Sequence, residues 1–272
     1  MSTVRRLFGN YLMNEVLRTI LSSKSVVTDD GITRPLHSNI SKEEGNFLQA
    51  TIKRLQPRVS LEIGCAYGVS SLYICEALRE VNATKHIIID PSQHFPHGKG
   101  PHSGWEGIGL ANLRRAGYWD LIDFHEVPSY QCLSRLTDER MRIDFAFVDG
   151  CHTFDYVLVD VFFIDKLLKP GGIIILDDLS YPSIRSVCRY ILSNLRYQCA
   201  GPPLQEPPAW KKLASHVSSK APLRRIVAPT ISVPDWRLDL PKSDFVALQK
   251  VEDDLIGEGP GTTRRWDHHV PF

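Results

Sequence analysis

Four side chains with the potential for chemistry follow two apolar segments of the sequence. Asp149 and His152 come after the run Ile143–Val148, and Asp177 and Asp178 close the next such run. The carboxyl ends of neighbouring strands form the ligand-binding edge of a doubly wound sheet, so we expect these side chains to converge. Crowded carboxylates repel one another unless a cation lies between them, and hard oxygen ligands favour Mg²⁺ over zinc. The pattern therefore predicts a divalent-cation site beside an imidazole that titrates near neutral pH.

The segment VSLEIGCAYG, Val59–Gly68, is a second candidate binding element. A β-branched apolar run leads into Glu62 and then into Gly64 and Gly68, whose backbones can adopt angles that are closed to other residues. A dinucleotide-binding turn has the spacing G-x-G-x-x-G, whereas the spacing here is E-x-G-x-x-x-G. The segment therefore predicts a strand-to-helix turn that binds a nucleoside cofactor of a different class.

Further segments continue the pattern of an α/β sheet. HIIID, His86–Asp90, is typical of a buried parallel strand whose last residue occupies the position of a ribose-binding carboxylate. A later helix with apolar residues at helical spacing reaches LKPGG, Leu168–Gly172, where the proline is expected to stop it and a glycine to supply a left-handed cap. The next parallel strand is predicted over Ile173–Asp178.

Residues 40–195 together resemble the class I methyltransferases that use S-adenosylmethionine. The E-x-G-x-x-x-G segment resembles their motif I, and a Pro-Gly-Gly turn before a strand is common among them. The resemblance implies an α/β, doubly wound, mostly parallel seven-stranded sheet, which is a Rossmann-like fold, with an N-terminal helical extension. The cofactor-binding residues that we expect are Glu62, Gly64, Ala66, Tyr67, Gly68, Asp90, Ser129 and Asp149.

The acids and the histidine resemble those of metal-dependent small-molecule O-methyltransferases of the catechol and macrolide-sugar types. Asp149, Asp177 and Asp178 match the metal positions of these enzymes. The D-x-x-H spacing from Asp149 to His152 matches a pattern of the macrolide-sugar enzymes, in which the histidine is the base. The resemblance implies that His152 and Asp149 are catalytic and that Mg²⁺, or another hard divalent cation, makes an acceptor hydroxyl more acidic. We expect methyl transfer to a hydroxyl of a small molecule such as a natural product, a sugar or a phenol.

Other interpretations remain open at the level of the sequence. A metal-independent methyltransferase acting on nitrogen or on a protein side chain would use the acids to bind a cationic acceptor. A cofactor-binding subunit without turnover would instead act through a partner protein. The acids also have a purely structural interpretation, because Asp149 and His152 suit the start of a helix near Thr153.

Three segments are predicted along the chain. Residues 1–40 comprise an amphipathic helix, Val4–Leu21, and a polar lid or connection. The apolar stripe of that helix predicts packing against the main domain or a homodimer. Residues 41–199 form the cofactor-binding core. Residues 200–272 begin with a proline-rich segment and include a strand, Asp244–Val251, that returns to complete the sheet.

Composition limits the partners that we expect. Lys and Arg total 32 against 31 acidic residues, a formal net charge of +1, which provides no general attraction for nucleic acid or an anionic membrane. We therefore expect a small-molecule acceptor, no nucleic acid and no membrane. No apolar run approaches the ~20 residues of a transmembrane helix, and no signal peptide is visible. The six cysteines form no CxxC pair, which favours reduced thiols and a cytoplasmic location.

Overall fold

The structure is a computed structural model that describes residues 13–96, 103–202 and 235–253. The helices of these ranges are α1 (Glu15–Ser23), α2 (Lys42–Leu55), α3 (Val69–Glu80), α4 (Ile108–Arg115), α5 (Ser129–Asp138), α6 (Phe154–Leu167) and α7 (Pro182–Asn194). The strands are β1 (Ser25–Val27), β2 (Thr33–Pro35), β3 (Val59–Ile63), β4 (Lys85–Ile89), β5 (Ile122–His125), β6 (Ile143–Val148), β7 (Leu168–Leu176), β8 (Tyr197–Gly201) and β9 (Val246–Lys250). None of the helices in this described part is long and apolar enough to cross a membrane.

Seven of the strands form one sheet in the order β5-β4-β3-β6-β7-β9-β8, and β1 and β2 form a separate antiparallel pair. β4 pairs in parallel with β5, and β6 pairs in parallel with both β3 and β7. β9 is antiparallel to β7 and to β8. Parallel neighbours need crossover connections, which α3 to α6 provide along the chain. The mostly parallel seven-stranded sheet predicted from the sequence is thereby confirmed.

The described residues make up two compact units. The first unit consists of those within 1–57 and 65–126, where α3 is buried along most of its length and packs against α2. Ser41 caps α2 by accepting a hydrogen bond from the backbone amide of Glu44. α1 also packs against α3 through its buried residues Leu17 and Ile20.

The second unit consists of the described residues within 58–64 and 127–272. Its strands β3, β6 and β7 are buried along most of their length, as expected for parallel strands that are covered on both faces. α5 packs against α6, and α6 packs against α7. The predicted returning strand is confirmed, since β9 covers Val246–Lys250.

The junction between α6 and β7 differs from the prediction. α6 ends at Leu167, and the residue that follows it is extended, not left-handed. β7 already begins at Leu168, so Pro170 lies within the strand and does not stop the helix. Gly171 has the expected positive φ of 82°, but it lies where the pairing of β7 with β6 is irregular. The glycine is therefore part of an irregular stretch of β7 and not of a helix cap.

Both ends of the chain are described only in part. α1 begins at Glu15, where the Asn14 side chain accepts a hydrogen bond from the amide of Val16. The beginning of the predicted amphipathic helix, from Val4 to residue 12, lies outside the described residues, as do residues 203–234 of the proline-rich segment. Strand β8, Tyr197–Gly201, is not among the elements predicted from the sequence.

Candidate active site

Backbone hydrogen bonds align the carboxyl ends of β3, β6 and β7. The amide of Asp149 donates to the carbonyl of Ile63 at 2.9 Å, and the amide of Asp177 donates to the carbonyl of Val148 at 3.1 Å. Hydrogen bonds of the sheet therefore continue up to the first acid after each of the last two strands. This brings the acids of β6 and β7 to the same edge, as predicted from the sequence.

The turn after β3 depends on a glycine. Gly64 has a φ of 87°, and a Cβ atom on it would overlap the carbonyl oxygen of Asp149. A side chain at this position would have to push apart two segments of backbone. Gly64 is therefore required by the close approach of the turn to the end of β6, which is the reason for its presence in the predicted cofactor motif.

The remainder of the motif is held by Asp90 at the end of β4. One oxygen of its carboxylate, Oδ2, accepts hydrogen bonds from the amides of Cys65 and Ala66, both at 3.0 Å. Ala66 has a φ of 48°, a left-handed conformation that costs energy for a residue other than glycine, and Gly68 has a φ of 80° at the start of α3. Asp90 thus stabilises the backbone of the turn directly.

Gln93 completes this arrangement. Its Nε2 donates to the carbonyl of Ala66 at 2.8 Å and to Asp90 Oδ2 at 3.0 Å, and the side chain is fully buried. The amide of Ser92 donates to the other oxygen of Asp90, Oδ1, at 2.8 Å. Gln93 is not among the residues predicted from the sequence, and its spacing of three residues from Asp90 is its only sequence signal.

The predicted lid or connection contacts Tyr67 of the cofactor motif through His37. The Tyr67 hydroxyl and His37 Nε2 are 2.9 Å apart, and the ring of Trp105 meets the Tyr67 ring edge-on at 5.1 Å. Arg34 donates two hydrogen bonds to Glu106, at 2.8 and 2.9 Å. Burial of the Tyr67 side chain raises the pKa of its hydroxyl. The Tyr67 side chain therefore connects elements of the first unit, whatever its backbone contributes to the cofactor.

Two other predicted cofactor residues, Glu62 and Ser129, belong to the second unit. Glu62 is completely buried within β3. Ser129, the first residue of α5, forms a hydrogen bond with the buried side chain of Asp160 on α6. Burial raises the pKa of Asp160 to about 6, and the bond from Ser129 acts in the opposite direction.

The acids and the histidine form a cluster at the ends of β6 and β7. One ligand atom from each of Asp149, His152 and Asp178 lies within 4.8 Å of the others. His152 Nδ1 is 3.2 Å from Asp178 Oδ2. The side chain of Asp177 lies outside this group of three, and its Oδ1 accepts a hydrogen bond from the amide of Asp178 at 2.7 Å.

The electrostatics of the cluster favour a bound cation. Burial, together with the negative charges of Asp177, Asp178 and Glu62, raises the pKa of Asp149 to about 8. A cation placed among these groups would replace the repulsion with attraction and would favour the ionised carboxylate. Carboxylate oxygens with one nearby imidazole suit Mg²⁺ or Mn²⁺, so the donor set fits the metal that the sequence predicts.

Residues 61–179 match a family model that is described as a methyltransferase domain. Over these residues the chain is similar to a methyltransferase domain. The matched segment extends from within β3 to just beyond β7, so the methyltransferase domain includes the glycine turn and all the acids of the cluster. The family predicted from the motif and its neighbouring strands is confirmed.

Curated relatives and a solved structure agree with the methyltransferase domain. A putative caffeoyl-CoA O-methyltransferase of Arabidopsis thaliana is 29% identical over 136 residues, which are 50% of this chain and 53% of the relative. Tapetum-specific methyltransferase 1 of the same plant is 31% identical over 140 residues, again 50% of this chain and 53% of the relative. The chain thus spans about half the length of these relatives. An O-methyltransferase from Bacillus cereus, solved in complex with SAH, shares the fold with a TM-score of 0.50 at 19% identity, covering 69% of this chain and 81% of its own.

Proposed function

We propose that this protein is an S-adenosylmethionine-dependent O-methyltransferase that methylates a hydroxyl group of a small molecule with the help of a hard divalent cation. The observation that carries the proposal is the cluster of Asp149, His152 and Asp178 at the strand ends of a methyltransferase domain. Cofactor binding alone does not need two acids and a histidine that face one another. The caffeoyl-CoA O-methyltransferases among the relatives support oxygen as the acceptor atom.

The residues that we assign to S-adenosylmethionine belong to β3, to the glycine turn that follows it, to the ends of β4 and β6 and to the start of α5. The turn is rigid because Asp90 and Gln93 hold its backbone, and a rigid turn loses little entropy when it binds a ligand. The assigned residues are Glu62, Gly64, Ala66, Tyr67, Gly68, Asp90, Ser129 and Asp149.

Asp149, Asp177 and Asp178 are the residues that we assign to the ion, which we take to be Mg²⁺. Bound there, Mg²⁺ would make an acceptor hydroxyl more acidic and hold its oxygen in place. Burial and the neighbouring acids raise the pKa of Asp149 to about 8, so a nearby positive charge would favour its ionised form.

His152 is the proposed general base. With Nδ1 protonated and facing Asp178 Oδ2, the other ring nitrogen, Nε2, has a free lone pair that can accept the hydroxyl proton of the acceptor. Methyl transfer is a displacement at carbon, so the acceptor oxygen must approach opposite the departing sulfur. The role of the chain is to hold that oxygen in line and to remove its proton as the new C–O bond forms.

The proposal can be tested by measuring methyl transfer from labelled S-adenosylmethionine to phenols, catechols and sugars. The assays are run with Mg²⁺ or with EDTA. We expect turnover that EDTA abolishes and that Asp149→Ala reduces by at least about 100-fold, since both remove electrostatic stabilisation of the reacting oxygen. Asp155→Ala is the matched control, because Asp155 is an exposed acid at the start of α6 outside the cluster.

The same measurements separate the alternatives. Full turnover in EDTA would remove the metal from the mechanism. Methylation of amines but not of hydroxyl compounds in metal-free buffer would identify a metal-independent N-methyltransferase. Tight binding of S-adenosylmethionine without transfer to any acceptor, together with a co-purifying protein, would identify a cofactor-binding subunit.

A further inference from the structure

The imidazole of His152 is held by the segment that connects β7 to α7. Asp178 Oδ2 lies 3.2 Å from His152 Nδ1, and the ring of Tyr181 stacks on the imidazole with centroids 5.4 Å apart and planes 4° from parallel. The hydroxyl of Ser183 donates to the backbone carbonyl of His152 at 2.5 Å. These contacts fix the backbone of His152, the edge of its ring and the plane of its ring.

The connecting segment is itself well anchored. Asp178 has a φ of 54°, a left-handed conformation that aspartate tolerates better than most residues, and its carbonyl accepts the amide of Tyr181 at 2.9 Å. Between them, Leu179 is fully buried and its amide donates to the carbonyl of Asp244. One short turn therefore presents both Asp178 and Tyr181 to the same imidazole.

The Tyr181 side chain contributes little to the stability of the fold, because it is 48% exposed. It precedes α7 at the N-cap position but makes no capping hydrogen bond from its side chain. Within the described ranges its hydroxyl has no hydrogen-bond partner, so the contact that distinguishes this residue is the stack on His152.

We infer that Tyr181 is a positioning residue for His152. The parallel stack fixes the plane of the imidazole while Asp178 fixes the tautomer, and together they hold Nε2 in one place as the proton acceptor. Stacking between two aromatic rings favours the ring orientation in which their planes stay in contact. The inference deepens the proposed function and rests on the role of His152 as the base.

Substitutions at Tyr181 test the inference in the full-length protein. Tyr181→Leu removes the stack and is expected to lower kcat for the acceptor by about 10- to 100-fold, with KM changed by less than about threefold, because the base is misplaced while the acceptor still binds. Tyr181→Phe keeps the stack and should retain most of kcat. Tyr156→Leu, at a tyrosine that is 45% exposed on α6, should behave as the native protein.

A double variant shows whether the effect passes through His152. In the His152→Asn background, adding Tyr181→Leu should cause no further loss of kcat, because the two residues act as a unit. An equal additional loss in that background would overturn the inference. An equal loss of kcat in Tyr181→Leu and Tyr181→Phe would also overturn it, since the hydroxyl and not the stack would then matter.

Nuclear magnetic resonance separates a failure of this inference from a failure of the proposed function. The ring protons of His152, assigned from their disappearance in His152→Asn, should be shifted upfield by the Tyr181 ring in the native protein and in Tyr181→Phe, and should lose that shift in Tyr181→Leu. This pattern would support the positioning role even if the native protein methylated no acceptor, a result that would refute only the proposed function. Identical His152 spectra for the native protein and Tyr181→Leu would overturn the inference whatever the activity.

Discussion

The Cβ position of Gly64 coincides with space that the carbonyl oxygen of Asp149 occupies. The turn of the cofactor motif and the backbone of a proposed metal ligand are therefore in direct contact, with no room for a side chain between them. The amide of the same aspartate donates to the carbonyl of Ile63, immediately before the glycine. The location of the Asp149 carboxylate thus depends on a glycine in the turn that follows a different strand.

Gly64→Ala should disrupt this contact. The new methyl group would meet backbone atoms, which cannot move aside as a flexible side chain can, and the φ of 87° would be strained in addition. We expect a loss of at least about 2 kcal/mol in the free energy of unfolding and a fall of more than about tenfold in affinity for S-adenosylhomocysteine and Mn²⁺. Urea denaturation and calorimetric titration measure these quantities.

Gly31→Ala separates the clash at Gly64 from the strain of its backbone angle. Gly31 has the same φ of 87°, but a Cβ there would have no atom within 4 Å. Its substitution should therefore cost only the conformational strain, about 1–2 kcal/mol, and leave both affinities unchanged. Equal losses of ligand affinity in the two variants would contradict the proposed importance of the Gly64–Asp149 contact.

Metal affinity should rise with pH up to about 8. The pKa of Asp149 is raised to about 8, so in the metal-free protein this carboxyl is protonated at pH 6–7, and a cation must displace the proton in order to bind. We expect the apparent affinity for Mn²⁺ to increase by up to about tenfold for each pH unit between 6 and 8 and then to level off.

Calorimetric titration at pH 6, 7, 8 and 9, in buffers that differ in ionisation enthalpy, counts the protons released on Mn²⁺ binding. Asp149→Asn should remove both the proton release and most of the affinity, whereas Asp155→Asn should preserve both. An affinity for Mn²⁺ that is constant from pH 6 to 8 in the native protein would show that Asp149 is not a ligand.

Gln93→Glu should weaken cofactor binding. The side chain at this position is fully buried, so the effect does not depend on contact with solvent. The substitution replaces an amide that donates to the Ala66 carbonyl and to Asp90 with a carboxylate that repels both. We expect a loss of about 2–4 kcal/mol in the free energy of unfolding and at least a tenfold weaker affinity for S-adenosylhomocysteine. Gln131→Glu, at an exposed position of α5, is the control, and native-like affinity in Gln93→Glu would contradict the proposed support of the turn.

The features of this fold that follow from local sequence are predictable. The glycine turn after β3 is marked by residue types within ten positions, and the strand that precedes Asp149 ends in four consecutive apolar residues. The convergence of the acids follows from the general geometry of parallel sheets. The sequence therefore indicates both the class of fold and the edge of the sheet at which the acids lie.

The features that depend on tertiary pairing are not predictable in this way. Pro170 and Gly171 resemble a helix stop, but they lie within β7 because this strand pairs with β6 on both sides of the irregular stretch. β8 contains no β-branched residue and is a strand because it pairs with β9. Which of the adjacent acids faces His152 depends on the left-handed backbone of Asp178, and propensity alone does not specify that conformation.

Asp160→Asn should make the protein more stable at alkaline pH but not at acidic pH. Asp160 is 1% exposed, one of its oxygens has no partner within the described residues, and burial raises its pKa to about 6. An aspartate in the unfolded chain has a pKa of about 3.9. Because the pKa is higher in the folded protein, the protonated carboxyl contributes its full stability below about pH 4. That contribution is lost as the pH rises through about 6. The isosteric asparagine carries no charge to bury, and at pH 8 it should be more stable by on the order of 2 kcal/mol, with little difference at pH 4. Urea denaturation of both proteins across this range measures the difference, and parallel stability profiles would show that the buried carboxyl is not destabilising.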